Sequence, residues 1–138
     1  MVDSLPFDRR GVVAVVLRAE KLLVIRRGEL VAAPGRICFP GGAIEPGETE
    51  EEALIREMRE ELAVETKPLR RLWESVTPWR VHLAWWLGEL SPAAELVPHP
   101  AEVAAFYWLT PAELRAKREI LESNVAFLDA WEQGVFGW

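Results

Sequence analysis

The sequence predicts an α/β or α+β sandwich, with strands and helices layered over one core. Three observations predict it. Short runs rich in β-branched and aromatic residues recur along the chain without an internal repeat. Helical segments lie among and after these runs, not in one separate block. Half of the 138 residues are hydrophobic, enough for a single adequate core, so one domain is expected over residues 1–138.

The elements follow in chain order. Residues 11–18 (GVVAVVLR) are β-branched and strand-like, and Lys21–Arg27 (KLLVIRR) follows after Ala19 and Glu20, the spacing of a hairpin. Residues 28–36 form a loop that ends in a short strand at 37–39. Pro40, Gly41 and Gly42 then make a sharp turn that needs backbone freedom. A helix is predicted over about 49–62, begun by a capping box in which Thr49 pairs with Glu52. Strands are predicted at 68–76 and 80–89, and a loop with three prolines covers 91–101. Val103–Leu109 reads as a strand. Thr110 then caps a helix with Pro111 at its first position. A last helix is predicted over 119–132.

Composition excludes several classes of function. The net charge is −6 with no basic cluster, which argues against a polymeric nucleic-acid ligand, whose affinity rests on cationic contacts to phosphates. The lone Cys38 cannot form an internal disulfide and suits a reducing compartment. It precedes Phe39 in an apolar run and reads as a buried, inert thiol. Only His82 and His99 are present, so a histidine-based metal site is not expected. The N-terminus MVDSLPFDRR lacks the apolar core of a signal peptide. No apolar stretch reaches membrane-spanning length. A cytoplasmic protein with no membrane partner is therefore expected.

The helix over 49–62 carries the chemistry. Like-charged pairs three or four residues apart each cost about 0.2–0.5 kcal/mol, a cost most easily understood if a cation sits on that face. Glu57 and Glu61 lie one turn apart with Glu60 beside them, and Glu48 precedes the helix and can lean toward the same place. Converging carboxylates suit a hard divalent cation, Mg²⁺ or Mn²⁺, and with it a phosphate-bearing substrate. Glu57 and Glu61 are the first choices for ligands, with Glu60 third. Glu50, Glu51 and Glu52 need no such role, because acidic residues in a first turn favour the helix dipole. Replacements of Glu50 or Glu51 should accordingly matter little.

The full segment 42–64, GAIEPGETEEEALIREMREELAV, resembles the signature of the Nudix hydrolases, G-x5-E-x7-R-E-U-x-E-E-x-G-U, where U is aliphatic. Gly42, Glu48, Arg56, Glu57, Met58, Glu60, Glu61 and Val64 fall on its fixed positions. The departure is Ala63, where the family has a glycine suited to a left-handed helix end. Alanine held in that conformation costs about 1–2 kcal/mol, a change in helix termination and not in a metal ligand. The resemblance implies a mixed β-sheet sandwiched between α-helices. It also implies help from the Gly41 carbonyl in metal binding, and an Arg56 that orients Glu48. Glu48, Arg56 and Glu60 are thereby candidate catalytic residues. Glu102, six residues before Trp108, stands where many family members carry a metal-facing glutamate, and is the candidate general base outside the signature. Glu95 is a weaker candidate in the same loop.

The substrate is read less sharply. The stretch LLVIRRGELVAAPGRICFPGG has the spacing of coenzyme A pyrophosphatases and keeps Leu22, Leu23, Arg26, Gly35 and the 39–42 segment, but places Val24, Arg27 and Val31 where that subfamily has polar or basic residues. Arg26 and Gly42 are candidate substrate-binding residues on this basis. Among seven tryptophans, Trp85 reads as core and Trp86 shares the opposite strand face with His82. Trp79, next to a proline at a strand entrance, is the candidate for stacking on a base. Trp131, Phe136 and Trp138 form an apolar C-terminal group that packs on the domain or covers a second copy in a homodimer. The expected activity is divalent-metal-dependent hydrolysis of a small nucleotide-type substrate, either a nucleoside diphosphate linked to another moiety or a nucleoside triphosphate. The alternatives are a non-catalytic Nudix-fold binding or regulatory domain, a coenzyme A pyrophosphatase, and a Nudix-fold isomerase.

Overall fold

The computed structural model describes residues 9–137; the expectations placed on the first eight residues and on Trp138 lie outside them. The strands are β1 (Arg9–Arg18), β2 (Lys21–Arg27), β3 (Ile37–Cys38), β4 (Gly41–Ala43), β5 (Thr66–Val76), β6 (Val81–Leu90) and β7 (Val103–Leu109). The helices are α1 (Glu50–Leu62), α2 (Pro111–Arg115) and α3 (Glu122–Glu132). The strand order is β3-β2-β1-β6-β5, with β4 joined to β1 and β7 to β2. β1 runs parallel to β6 and antiparallel to β2 and β4, so the sheet is mixed, as expected.

The apolar run of β1 explains its central place. A strand covered on both faces needs no polar alternation, and Val12, Ala14 and Val16 pack on the face that carries α1, with Leu54, Met58 and Leu62. Val13 and Val15 pack on the other face with Trp85, Leu114, Phe127 and Leu128. Trp85 is fully buried, as its strand register predicts, and its indole N–H donates to Ser75 Oγ at 3.0 Å. The β1–β2 hairpin closes with Ala19 and Glu20 at φ of 51° and 65°, the left-handed pair that such a two-residue turn requires.

β1 and β5 each begin two residues earlier than the sequence reading and β3 ends one residue earlier; three further differences have a clear physical reason. β6 begins after Arg80, because Arg80 is held at φ 65° by the turn from Thr77. α3 begins at Glu122, not near 119, because the preceding residues pair with β3: Ile37 N–H donates to Glu119 O and Leu121 N–H to Ile37 O. The turn after residue 39 continues as β4, where Gly41 passes so close to β1 that a Cβ on it would lie 2.1 Å from Val12 O.

The described members of the C-terminal apolar group, Trp131 and Phe136, pack on their own chain. Phe136 lies 6.2 Å from Trp73 and 5.0 Å from Phe127 between ring centroids, and the Arg70 guanidinium donates to Gly137 O. Glu50 also departs from expectation. Its Oε2 accepts from Arg71 Nη2 at 2.8 Å and Arg10 Nη2 at 3.3 Å, and its Oε1 accepts from Trp86 Nε1 at 2.8 Å. It ties the start of α1 to β1, β5 and β6, and so is not an idle member of the acidic turn.

Candidate active site

α1 begins as its sequence dictates. Thr49 Oγ1 accepts from Glu52 N–H while the Glu52 carboxylate accepts from Thr49 N–H. The helix ends on Ala63 at φ 55°, ψ 37°, so alanine does adopt the left-handed geometry for which the signature supplies glycine. Between these ends α1 turns Glu57 and Glu61 inward, 9% and 8% exposed.

Two glycines shape their surroundings. Gly41 N–H donates to Glu61 Oε1 at 3.0 Å. A Cβ on Gly42 would stand 2.3 Å from Glu57 Oε2, so the absence of a side chain at 42 is what admits the Glu57 carboxylate. Burial pushes the Glu61 carboxyl up to about 8, with the charges of Glu57 and Glu102 adding to the rise and the Gly41 N–H and Arg27 opposing it. Glu57 is also raised, first by burial, against the pull of Arg56. Two acids are thus held where their anions are disfavoured unless a cation joins them. An all-oxygen donor set of this kind fits a hard divalent ion.

Arg56 organises the approach to this pair. It grips Glu48 with two bonds, Nε to Oε2 at 2.6 Å and Nη2 to Oε1 at 2.9 Å, and donates to Ala43 O at 2.8 Å. Its hydrogen bonds, with one from Glu45 N–H, hold Glu48 down to about 2. Arg56 Nη1 also reaches Glu57 Oε1 at 3.0 Å and Glu60 Oε1 at 3.1 Å. Glu60 therefore leans out toward Arg56, half-exposed. Among the described residues, no three His, Cys, Asp or Glu side chains stand in a ready ligating arrangement.

Glu102 lies within electrostatic reach of both buried acids, because its charge raises each of them. The prolyl loop brings it there by main-chain bonds: Val97 N–H donates to Leu62 O, His99 N–H to Glu61 O and Gly28 N–H to Glu102 O. Glu95 is exposed in the same loop.

A cleft of about 390 Å³ opens beside β4, with Gly41, Gly42, Cys38, Phe39, Asn124 and Trp79 in its walls. Trp79 is 51% exposed, against a fully buried Trp85. Cys38 is buried, and burial pushes its thiol up to about 11, consistent with an inert sulfur. Arg26 is not in the cleft. It lies on the α3 side of the sheet, bonded to Tyr107 Oη at 3.2 Å and Gly35 O at 2.9 Å and paired with Glu119. Successive strand side chains point to opposite faces, and it is Arg27 that stands in the cleft wall. Asn124 escaped the sequence reading, which placed it inside the last helix with no partner in view. It is buried, and its Oδ1 accepts from Phe39 N–H at 2.8 Å.

A mixed sheet between helices, with an acidic helix set behind the two glycines of a cleft wall, defines a class of small metal-binding hydrolases. Residues 8–130 match the NUDIX domain. A Nudix hydrolase of Deinococcus radiodurans is 35% identical over 126 residues, covering 83% of this chain and 71% of that protein. The CTP pyrophosphohydrolase of Escherichia coli is 31% identical over 106 residues, covering 74% and 76%. The solution structure of the E. coli ORF135 protein superposes with a TM-score of 0.71 at 27% identity, covering 92% of this chain and 90% of that one. Other relatives are longer: the chain spans 64% of an uncharacterized Nudix hydrolase of Rhodococcus erythropolis and 47% of the NAD-capped RNA hydrolase NudC of Stutzerimonas stutzeri. The chain belongs to the Nudix hydrolase family.

Proposed function

We propose that this chain is a Mg²⁺- or Mn²⁺-dependent pyrophosphohydrolase acting as one domain on a small nucleotide, either a nucleoside diphosphate linked to another moiety or a nucleoside triphosphate. The observation that carries the reading is the buried Glu57–Glu61 pair, set against Gly41 and Gly42 in the wall of a cleft of nucleotide size and within electrostatic reach of Glu102. Glu57, Glu61, Glu60 and the Gly41 carbonyl would hold the metal. When bound, a divalent ion neutralises phosphate oxygens and lowers the pKa of water.

The chain's own groups do the rest. Arg56 keeps Glu48 anionic and fixed beside the loop that carries Gly42. Gly42, in the cleft wall, offers its backbone to the diphosphate, and its missing side chain leaves room for the Glu57 carboxylate. Trp79 offers an indole face to the base, and Glu102 takes a proton from the attacking water. A net charge of −6 favours a small nucleotide over a nucleic-acid polymer, and a reduced Cys38 suits the cytoplasm. Among the described residues no helix is long and apolar enough to cross a membrane.

The test is a panel of nucleoside triphosphates, nucleotide sugars, dinucleotides and coenzyme A, assayed for phosphate or pyrophosphate release with Mg²⁺ and with Mn²⁺. Turnover of at least one substrate, lost in Glu61→Gln, is expected. Binding without turnover across the panel would favour a regulatory domain.

A further inference from the structure

The cleft does not end at Trp79. A second groove, of about 680 Å³, lies beyond it and shares Ala33, Trp79 and Leu121 with the first. Its floor is apolar, with Pro34, Ile120 and Val125, while Arg36 and Glu122 add a positive and a negative group.

The turn that carries the shared indole is hydrogen-bonded. Val81 N–H donates to Thr77 Oγ1 at 3.0 Å, Thr77 N–H to Val81 O at 2.9 Å and Arg80 N–H to Thr77 O at 2.9 Å. The described non-glycine residues with positive φ are Ala19 and Glu20 in the hairpin, Ala63 at the helix end, and Ala33 and Arg80. Arg80 follows Trp79 in the same turn, and Ala33 lines both grooves with Trp79. Backbone strain of this kind persists where surrounding structure enforces it, often at ligand sites. About half of a large indole thus stands exposed on a hydrogen-bonded turn and lines both grooves.

We infer that the groove beyond Trp79 is a second subsite that takes a planar heteroaromatic ring, so the preferred substrate carries two rings joined through its diphosphate. This rests on the reading of the cleft as the substrate site. An alkyl arm would use only the apolar floor. A heteroaromatic ring also uses the charged pair, with Glu122 accepting from an exocyclic amine and Arg36 donating to a ring or phosphate acceptor. A nucleoside triphosphate has one ring and leaves the groove empty.

Binding is measured calorimetrically in EDTA, so that no turnover is needed. Adenosine and guanosine 5′-monophosphates are compared with the corresponding dinucleoside diphosphates and with coenzyme A. For at least one base, the dinucleotide should bind about tenfold or more tighter than its mononucleotide, the gain expected of one stacked ring. Val125→Trp, which fills the groove, should erase that advantage while leaving mononucleotide affinity within about twofold. Val125→Phe makes the same block if the tryptophan variant does not fold. Trp79→Ala should weaken both ligand types. Three outcomes overturn the inference: no dinucleotide advantage in the unmodified protein, including no binding of either; an advantage that survives the block; or a larger, block-sensitive advantage for coenzyme A. The turnover panel judges the pyrophosphohydrolase reading separately.

Discussion

Replacing Glu61 with glutamine should move stability and activity in opposite directions. Glutamine keeps the shape and an oxygen able to accept the Gly41 N–H, but removes the charge that burial and Glu57 disfavour. The folded pKa of about 8 stands above the ordinary 4.5. Below pH 4.5 the carboxyl is protonated in both states and costs nothing. Between 4.5 and about 8 the unfolded chain releases the proton while the folded one keeps it, so stability falls as pH rises. At pH 7 the accumulated loss is roughly 3 kcal/mol as an upper bound, at about 1.4 kcal/mol per unit. In EDTA, the unmodified protein should therefore be more stable to denaturant at pH 5 than at pH 8. Glu61→Gln should flatten that slope and be the more stable protein at pH 8. Mg²⁺ should restore the unmodified protein at pH 8 and do little for the variant, whose turnover should fall by orders of magnitude. A variant less stable than its parent in EDTA at pH 8, or one with full turnover, would refute the assignment of Glu61 as a strained, metal-ready acid.

Other outcomes follow from the same geometry. Ala63→Gly should raise the melting temperature by a few degrees, because relief of about 1–2 kcal/mol of left-handed strain exceeds the added unfolded-state entropy; a clear fall in a thermal melt would refute the strained cap. Glu102→Gln should lower turnover by about 10²–10⁴ with folding intact, and Glu95→Gln should do less, as steady-state rates would show. Glu50→Gln should cost about 1–2 kcal/mol in urea unfolding by weakening bonds to Arg10, Arg71 and Trp86, whereas Glu51→Gln should stay within about 0.5.

Much of this was legible in the chain because it is local. The β1–β2 hairpin, the Thr49 capping box, the Thr110 cap and the shared face of Glu57 and Glu61 depend on neighbours within a few residues, and all are found. What escaped depends on distant partners. Glu50 looked like part of a solvated first turn because Arg10, Arg71 and Trp86 come from three other strands. Arg26 looked available because Tyr107 and Glu119, which engage it, lie far along the chain. Asn124 became a wall of the cleft only when the segment before α3 joined β3.

The bonds from Val97 and His99 to the last carbonyls of α1 have a consequence for motion. Those amides can exchange with solvent only when the loop lifts away from the end of the helix. Loop and helix terminus therefore form one cooperative opening unit, and the two amides should share one protection factor in hydrogen exchange. Glu102 then leaves the buried acids only by an event that also unseats the backbone at Glu61, so the two halves of the site are intact together or open together.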